Sequence, residues 1–292
     1  MNSKPRRPRS TKHIATVSGL HAVGLFIAAI YIVPMLYVVV VSVTPDGQRP
    51  GSMPKTLSFV NYVHAYVSSD FVLFFLNSAA VALTATVLQI VLSCSAGYAL
   101  AMLPVKGKQA IMILLVALLV VPPEVLIVPL FVIALHVPLV GGNDLLGAGG
   151  QGLLDSIPGL ILPHIVSALG VFLMRQFYAA LPLELGNAAR VDGAGEMQIF
   201  ARIYTPLVKP AVAIVGVFAF QAAWNDFIWP LVTIHSNSMR TLQLGLTVFF
   251  QENGTQWNLL MAAVLSISVP VILLFLLIQR FFKSGALTGA LK

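Results

Sequence analysis

Few side chains in this sequence are equipped for bond-making chemistry, and they are scattered. His21, His136 and His164 form no pair at the helical spacing of metal ligands, and Cys94 is the only cysteine, which excludes disulfides and cysteine metal sites within the chain. No GxxxxGKS/T phosphate loop occurs, so nucleotide hydrolysis by that device is excluded. No nucleophile or metal cluster of the kind a membrane-embedded enzyme needs can be picked out. What remains is polarity set where polarity is costly. Glu124 and Asp226 stand in long apolar runs, and residues 182–210 form one polar stretch, PLELGNAARVDGAGEMQIFARIYTPLVKP. A charge at the centre of a bilayer costs roughly 2.5–3.5 kcal/mol on insertion scales, so such residues face protein or water. The chemistry on offer is recognition and movement.

The surroundings explain why. The 292 residues are 58% hydrophobic and 9% charged, against roughly 25% charged in a soluble domain. No soluble fold of this length hides that much apolar surface. Barrel strands alternate in polarity, whereas these apolar runs are continuous, so the chain reads as an all-α polytopic membrane protein. Hydropathy gives six transmembrane helices, at 16–43, 72–102, 109–135, 155–177, 208–233 and 257–282, each longer than the roughly 20 residues a crossing needs. The first is too long for a signal-peptide core and no cleavage site follows, which makes it a retained signal-anchor. Residues 1–15 form a basic tail ahead of a single membrane domain, 16–292.

Charge sets the orientation. Lys4, Arg6, Arg7, Arg9, Lys12, Lys106, Lys108, Arg175, Arg190, Arg202, Lys209, Arg280, Lys283 and Lys292 fall on one side, and only Arg49, Lys55 and Arg240 on the other. The positive-inside rule places both termini and the 182–210 segment in the cytoplasm. The net charge of +7 follows from this bias and implies no nucleic-acid partner.

Several features modulate the spans. On the outside, 44–70 contains an amphipathic FVNYVHAYV stretch suited to an interfacial helix, and 137–156 carries six glycines expected to give a flexible or irregular loop. Pro122, Pro123 and Pro129 around Glu124 predict a bent or broken third span, with Glu124 holding the break or lining a pathway. Asp226, sixteen residues beyond Pro210, falls about 24 Å along an unbroken helix, in the outer part of the fifth span. Trp224, Asn225, Asp226, Phe227 and Trp229 mix hydrogen-bonding groups with aromatic faces, a mixture that suits sugar recognition. An interfacial aromatic belt around a structural Asp fits the same residues. A proton-coupled carrier using Glu124 and Asp226 is the alternative function, weakened by the lack of repeated halves.

The polar stretch reads as two short helices. Pro182 suits a first helical turn, Leu183–Val191 are mostly helix formers, and Ala188 and Ala189 give a slim side. Asp192-Gly193 is a turn signal. A second helix is expected from Gly195 to Tyr204, with Ile199, Phe200, Ile203 and Tyr204 on one face, Glu196 complementing its dipole and Pro206 ending it.

This elbow resembles the EAA loop of bacterial ABC-importer permeases. Ala188, Ala189, Asp192, Gly193, Ala194, Phe200, Ile203, Pro206, Leu207 and Pro210 occupy the positions of that pattern. Asn187 replaces its leading Glu, Glu184 stands one turn earlier, and Gly195 replaces the small polar residue after DGA. Residues 77–102, WNDFIWPL at 224–231 and QRFFKSGALTGALK at 279–292 are similar to further signatures of the carbohydrate branch. The resemblance implies a type I ABC importer permease fold with a cytoplasmic coupling-helix hairpin. It implies that Glu184 and the matching residues meet an ATPase pair that carries the ATP and Mg, with no cofactor in this chain. A second permease subunit, an external solute-binding protein and the membrane lipid complete the expected surroundings. With Asn at 187, shape and the DGA turn carry the coupling more than that one carboxylate.

Overall fold

A computed structural model of the chain describes residues 11–48, 52–67, 70–251 and 254–283. Most of the basic tail and of the C-terminal signature, residues 1–10 and 284–292, lies outside the described residues. The chain divides into two compact units, 1–65 with 249–266 and 66–248 with 267–292.

In the first unit, helix α1 (Thr11–Ser42) is followed by the short α2 (Val60–Val67). Asn61 on α2 is buried, and its amide donates to the carbonyls of Ser42 (2.8 Å) and Thr44 (2.9 Å). The amphipathic stretch is thus tied by one polar side chain to the frayed end of α1, whose carbonyls lack helical partners.

The second unit begins with α3 (Phe71–Met102), then α4 (Lys108–Val120), a 3-10 turn Pro123–Leu126 and α5 (Ile127–Leu135). The axes of the two halves of this span differ by 101°, so the Pro122-Pro123 break is sharp. Next come α6 (Ile157–Ile161), a 3-10 turn Leu162–His164 and α7 (Ala168–Ala179), bent by 47°. This fourth span was expected to be continuous. Ser167 interrupts it by adopting an extended backbone and accepting the Gly170 N–H on its hydroxyl (3.2 Å), which restarts the helix.

The elbow comprises α8 (Glu184–Val191) and a second stretch built of α9 (Glu196–Gln198), a π-helical turn Ile199–Tyr204 and α10 (Thr205–Leu207). Pro206 does not end this helix as expected. In the wide turn Thr205 N–H bonds the Phe200 carbonyl, and Pro206 falls in the first turn of α10, where a missing N–H is tolerated. The chain turns by 85° at Val208 into α11 (Lys209–Trp224), with Pro210 in its first turn.

α11 stops at Trp224 rather than continuing to 233. The Asp226 carboxylate accepts the Trp229 N–H (3.2 Å) and starts a separate helix, α12 (Ile228–Thr233). Sixteen residues span about 24 Å, short of a ~30 Å core, so the break at 225–227 falls inside the crossing. After the short α13 (Leu242–Gly245) come the paired β1 (Phe250–Gln251) and β2 (Gly254–Thr255) and the last span, α14 (Trp257–Lys283). Counting each bent pair as one crossing gives up to six among the described residues, by length and composition.

The glycine-rich 137–156 loop is irregular but well tied. Buried Asn143 donates to the Leu135 (2.7 Å) and Val137 (3.0 Å) carbonyls and accepts the Gly150 N–H (2.8 Å). One Asp155 oxygen accepts from the His235 and Ser236 amides and the Ser236 hydroxyl. Burial would raise this carboxyl's pKa, but the three donors hold it below the usual range.

Two glycines let α3 and α7 approach closely. A Cβ on Gly97 would stand 2.6 Å from the Met174 Cβ and 2.8 Å from the Arg175 nitrogen, and one on Gly170 would stand 2.5 Å from the Ser93 hydroxyl. Helices in lipid associate chiefly through such packing. Gly97→Ala is predicted to destabilise the protein by about 1–3 kcal/mol. Gly24→Ala on α1, with nothing within 4 Å of a Cβ, is predicted to be near neutral. Thermal melting of the purified protein in detergent compares the two; equal melting temperatures would contradict the packing argument.

Candidate functional site

The elbow is built around a tyrosine that sequence reasoning placed only on its apolar face. The Tyr204 hydroxyl accepts the Gly186 N–H (3.1 Å) and donates to the Pro182 carbonyl (3.0 Å), so it fastens α8 to the second elbow helix. A Cβ on Gly186 would come within 2.9 Å of that hydroxyl. The slim side of α8 is therefore Gly186 with Ala189, both buried, while Ala188 points outward. Neighbouring residues on a helix lie about 100° apart, and here that rotation turns Ala188 to solvent while Ala189 packs inward. The turn forms as its sequence predicts: Gly193 has φ +83°, Gly193 N–H bonds the Arg190 carbonyl (3.1 Å) and Ala194 N–H the Ala189 carbonyl (2.9 Å). This is a Schellman ending, which requires a left-handed residue at Gly193.

A second set of contacts fixes the elbow to α3 and α7. Tyr98 on α3 packs against Tyr178 of α7 (centroids 5.7 Å apart) and against Phe200 (5.1 Å) and Tyr204 (5.7 Å) of the elbow. The Tyr98 hydroxyl donates to Glu196 (3.0 Å), whose other oxygen accepts from the Arg190 guanidinium (2.6 Å). Arg190 also donates to the Asn187 side chain (2.9 Å). Asn187, standing where the family pattern has Glu, thus helps orient Arg190. Arg190 beside Glu196 holds that carboxyl below the usual range, with Tyr98 adding to the effect, so the bridge is intact at neutral pH and breaks only as pH falls through the lowered pKa.

Inward, Ile199, Phe200 and Ile203 join this cluster. Outward, Glu184, Ala188, Asp192, Gly193 and Pro206 are exposed, and Val191 and Met197 are 88% and 74% exposed. Ala194 is half-buried. Val191 and Met197 thus give the outward side of the turn an apolar character.

The second candidate is a cavity of about 670 Å³. The breaks in spans three, four and five converge on it: Pro123, Glu124 and Leu126; Pro163, His164 and Ser167; Asp226 and Ile228. His164, unremarkable in the sequence, places its Nε2 at 3.0 Å from Asp226, sixty-two residues away. Gln89 of α3 and Gln221 of α11 also line the space, and neither stands out by motif; the available signal was an amide inside an apolar span.

The aromatic candidates divide. Trp229 lines the cavity, but its indole N–H is held by the Gly159 carbonyl (2.9 Å). Trp224 is buried, stacks on Phe220 and donates to the Ile267 carbonyl (3.1 Å); it lines a separate apolar cavity of about 820 Å³ with Phe75 and Pro270. Asn225 is exposed and accepts from Gln243 (3.3 Å). The structure brings together Glu124, Asp226 and Trp229, and separates Trp224 and Asn225 from them.

Residues 89–286 match the family model of the binding-protein-dependent transport system inner membrane component. An arabinooligosaccharides transport system permease protein of Bacillus subtilis (strain 168) is 34% identical over 92% of this chain and 93% of its own length. An sn-glycerol-3-phosphate transport system permease protein of Yersinia pestis bv. Antiqua (strain Antiqua) is 34% identical over 89% and 92%. The fold is similar to that in a crystal structure of a bacterial ABC transporter involved in the import of the acidic polysaccharide alginate, with TM-score 0.77 at 20% identity, covering 96% of this chain and 100% of that one. A match of this extent, carried by a membrane-spanning helical chain with a rigid elbow, places the protein in the family of binding-protein-dependent transport system inner membrane components.

Proposed function

We propose that the chain is one permease half of an ATP-driven importer for a sugar or sugar-like solute. It pairs with a second permease, receives solute from an external binding protein, and couples through the elbow to a cytoplasmic ATPase pair. Both termini and the elbow face the cytoplasm in this reading, which the distribution of Lys and Arg supports. The observation that carries the proposal is the elbow's two-sidedness. Its inner face is fixed to α3 and α7 by the Tyr98–Glu196 bond and the aromatic cluster, while its turn presents Val191, Asp192, Gly193 and Met197 outward. Movement imposed on the turn is passed to two spans with little slack.

The cavity at the three helix breaks supplies the pathway side of the reading. Broken backbone at membrane depth is tolerated where it is buried in protein or lines a water-filled space. Relatives named for arabinooligosaccharides and sn-glycerol-3-phosphate support a hydroxyl-rich solute.

Two experiments on the reconstituted complex test this. A Cβ on Gly193 meets nothing within 4 Å but must adopt φ +83°, a strain of about 1–2 kcal/mol that the chain absorbs. Gly193→Val is therefore predicted to remain in the membrane yet lose ATP-driven uptake and capture of the ATPase. Normal uptake in that variant rejects the elbow as the coupling element. For the pathway, Ala222→Cys is made with Cys94→Ala. A charged water-soluble thiol reagent is predicted to block vanadate-sensitive uptake through that variant and spare the Cys94→Ala parent. Uptake driven by a pH gradient without ATP would instead favour a carrier built on Glu124 and Asp226.

A further inference from the structure

We propose that Gln89 anchors a solute subsite in the three-break cavity, and that this subsite takes uncharged polyhydroxy solutes and rejects anionic ones; the inference rests on the cavity being the solute pathway. Gln89 lies on α3, is 5% exposed, and lines the cavity. Its amide makes no hydrogen bond to any of the described residues. A carboxamide carries two donors and one acceptor oxygen, and these are not among the fully enclosed unpaired side-chain atoms, which belong to Ser93, Arg175 and Thr241, so the Gln89 amide keeps its access to the cavity. Among the described residues the other buried amides, Asn61 and Asn143, are fully engaged. The exception, in the wall of a membrane-embedded cavity, marks a partner that arrives from outside the chain.

The rest of the lining defines that partner. Glu124, Gln221, His164 and Asp226 supply polar groups, and Trp229, Leu130 and Pro163 supply apolar surface. No Lys or Arg lines the cavity among the described residues. Hydroxyl groups can donate to carboxylates and exchange both ways with amides, so a sugar satisfies this set. A phosphate or carboxylate on the solute would meet acidic side chains without a basic residue that is always charged. His164 is already engaged with Asp226 at 3.0 Å. Like charges a few ångströms apart repel strongly where water is scarce. Family membership alone leaves this open, since one relative is named for an uncharged class of solute and another for a phosphate ester.

The test uses the complete complex in proteoliposomes, with both permeases, the ATPase pair and the binding protein. Probes are arabinotriose, lactose and diacetylchitobiose against sn-glycerol 3-phosphate and digalacturonate. Uptake is expected only for uncharged probes, with Gln89→Met lowering it about tenfold or more and Gln89→Asn recovering part of the loss. Should Gln89→Met fail to assemble, Glu124→Lys is read instead, and is expected to shift the ratio of sn-glycerol 3-phosphate to neutral sugar upward by about tenfold or more. Failure of every uncharged probe, uptake of either anion at a comparable rate, wild-type uptake by Gln89→Met, or an unchanged ratio in Glu124→Lys overturns the proposal. The Ala222→Cys block separates the two levels: if it holds while Gln89→Met behaves as wild type, only the subsite falls, and if it is absent the pathway falls as well.

Discussion

Hydrocarbon offers no hydrogen bonds to a broken helix, and the second unit is arranged around that fact. Spans three, four and five are each interrupted, at Pro122-Pro123, at Ser167 and at Asn225–Phe227. Each break frees backbone polar groups that lipid cannot satisfy. All three are turned toward one cavity, and the polar side chains that an apolar span otherwise excludes collect there. Asp226 shows the economy of the arrangement: one oxygen starts α12 through the Trp229 amide, and the other pairs with His164.

The same helices that wall the cavity also hold the elbow. On α3, Gln89 faces the cavity and Tyr98 meets Glu196, about 14 Å apart along the axis. On α7, Ser167 lines the cavity and Tyr178 bonds Thr205 of the elbow (2.9 Å). Gly97 and Gly170 bring these two helices into backbone contact between the two ends. Close-packed interiors transmit strain, and these contacts form a continuous packed path from Tyr98 and Tyr178 to Gln89 and Ser167.

Much of the elbow was legible in the sequence because its signals are local. Asp192-Gly193 gave the turn, and the spacing of Ile199, Phe200, Ile203 and Tyr204 gave the inward face. The misjudged ending at Pro206 came from assuming an ordinary α-helix, where a π turn instead makes the proline harmless. The double proline announced the break in span three. Ser167 and Asp226 carried comparable but weaker signals, each a capping residue buried in hydropathy that reads straight through it. The His164–Asp226 pair was invisible, since nothing local links residues sixty-two apart. The surroundings of Trp224 were hidden for a related reason: beside Asn225 and Asp226 it resembles a sugar platform, while the end of α11 turns it into the apolar interior. Asn187 looked like a loss at a matching position, and the Arg190 contact shows what the amide does instead.

Under the proposed coupling, nucleotide-driven motion at the elbow changes the shape of the three-break cavity. Spin labels at Leu126 and Ile228, on two of the breaks that line it, report this most directly by pulsed electron-spin distance measurement in the assembled complex. The distance distribution is predicted to differ between the nucleotide-free and vanadate-trapped states, with the difference abolished by Gly193→Val. Identical distributions in both states, with transport intact, would contradict the account.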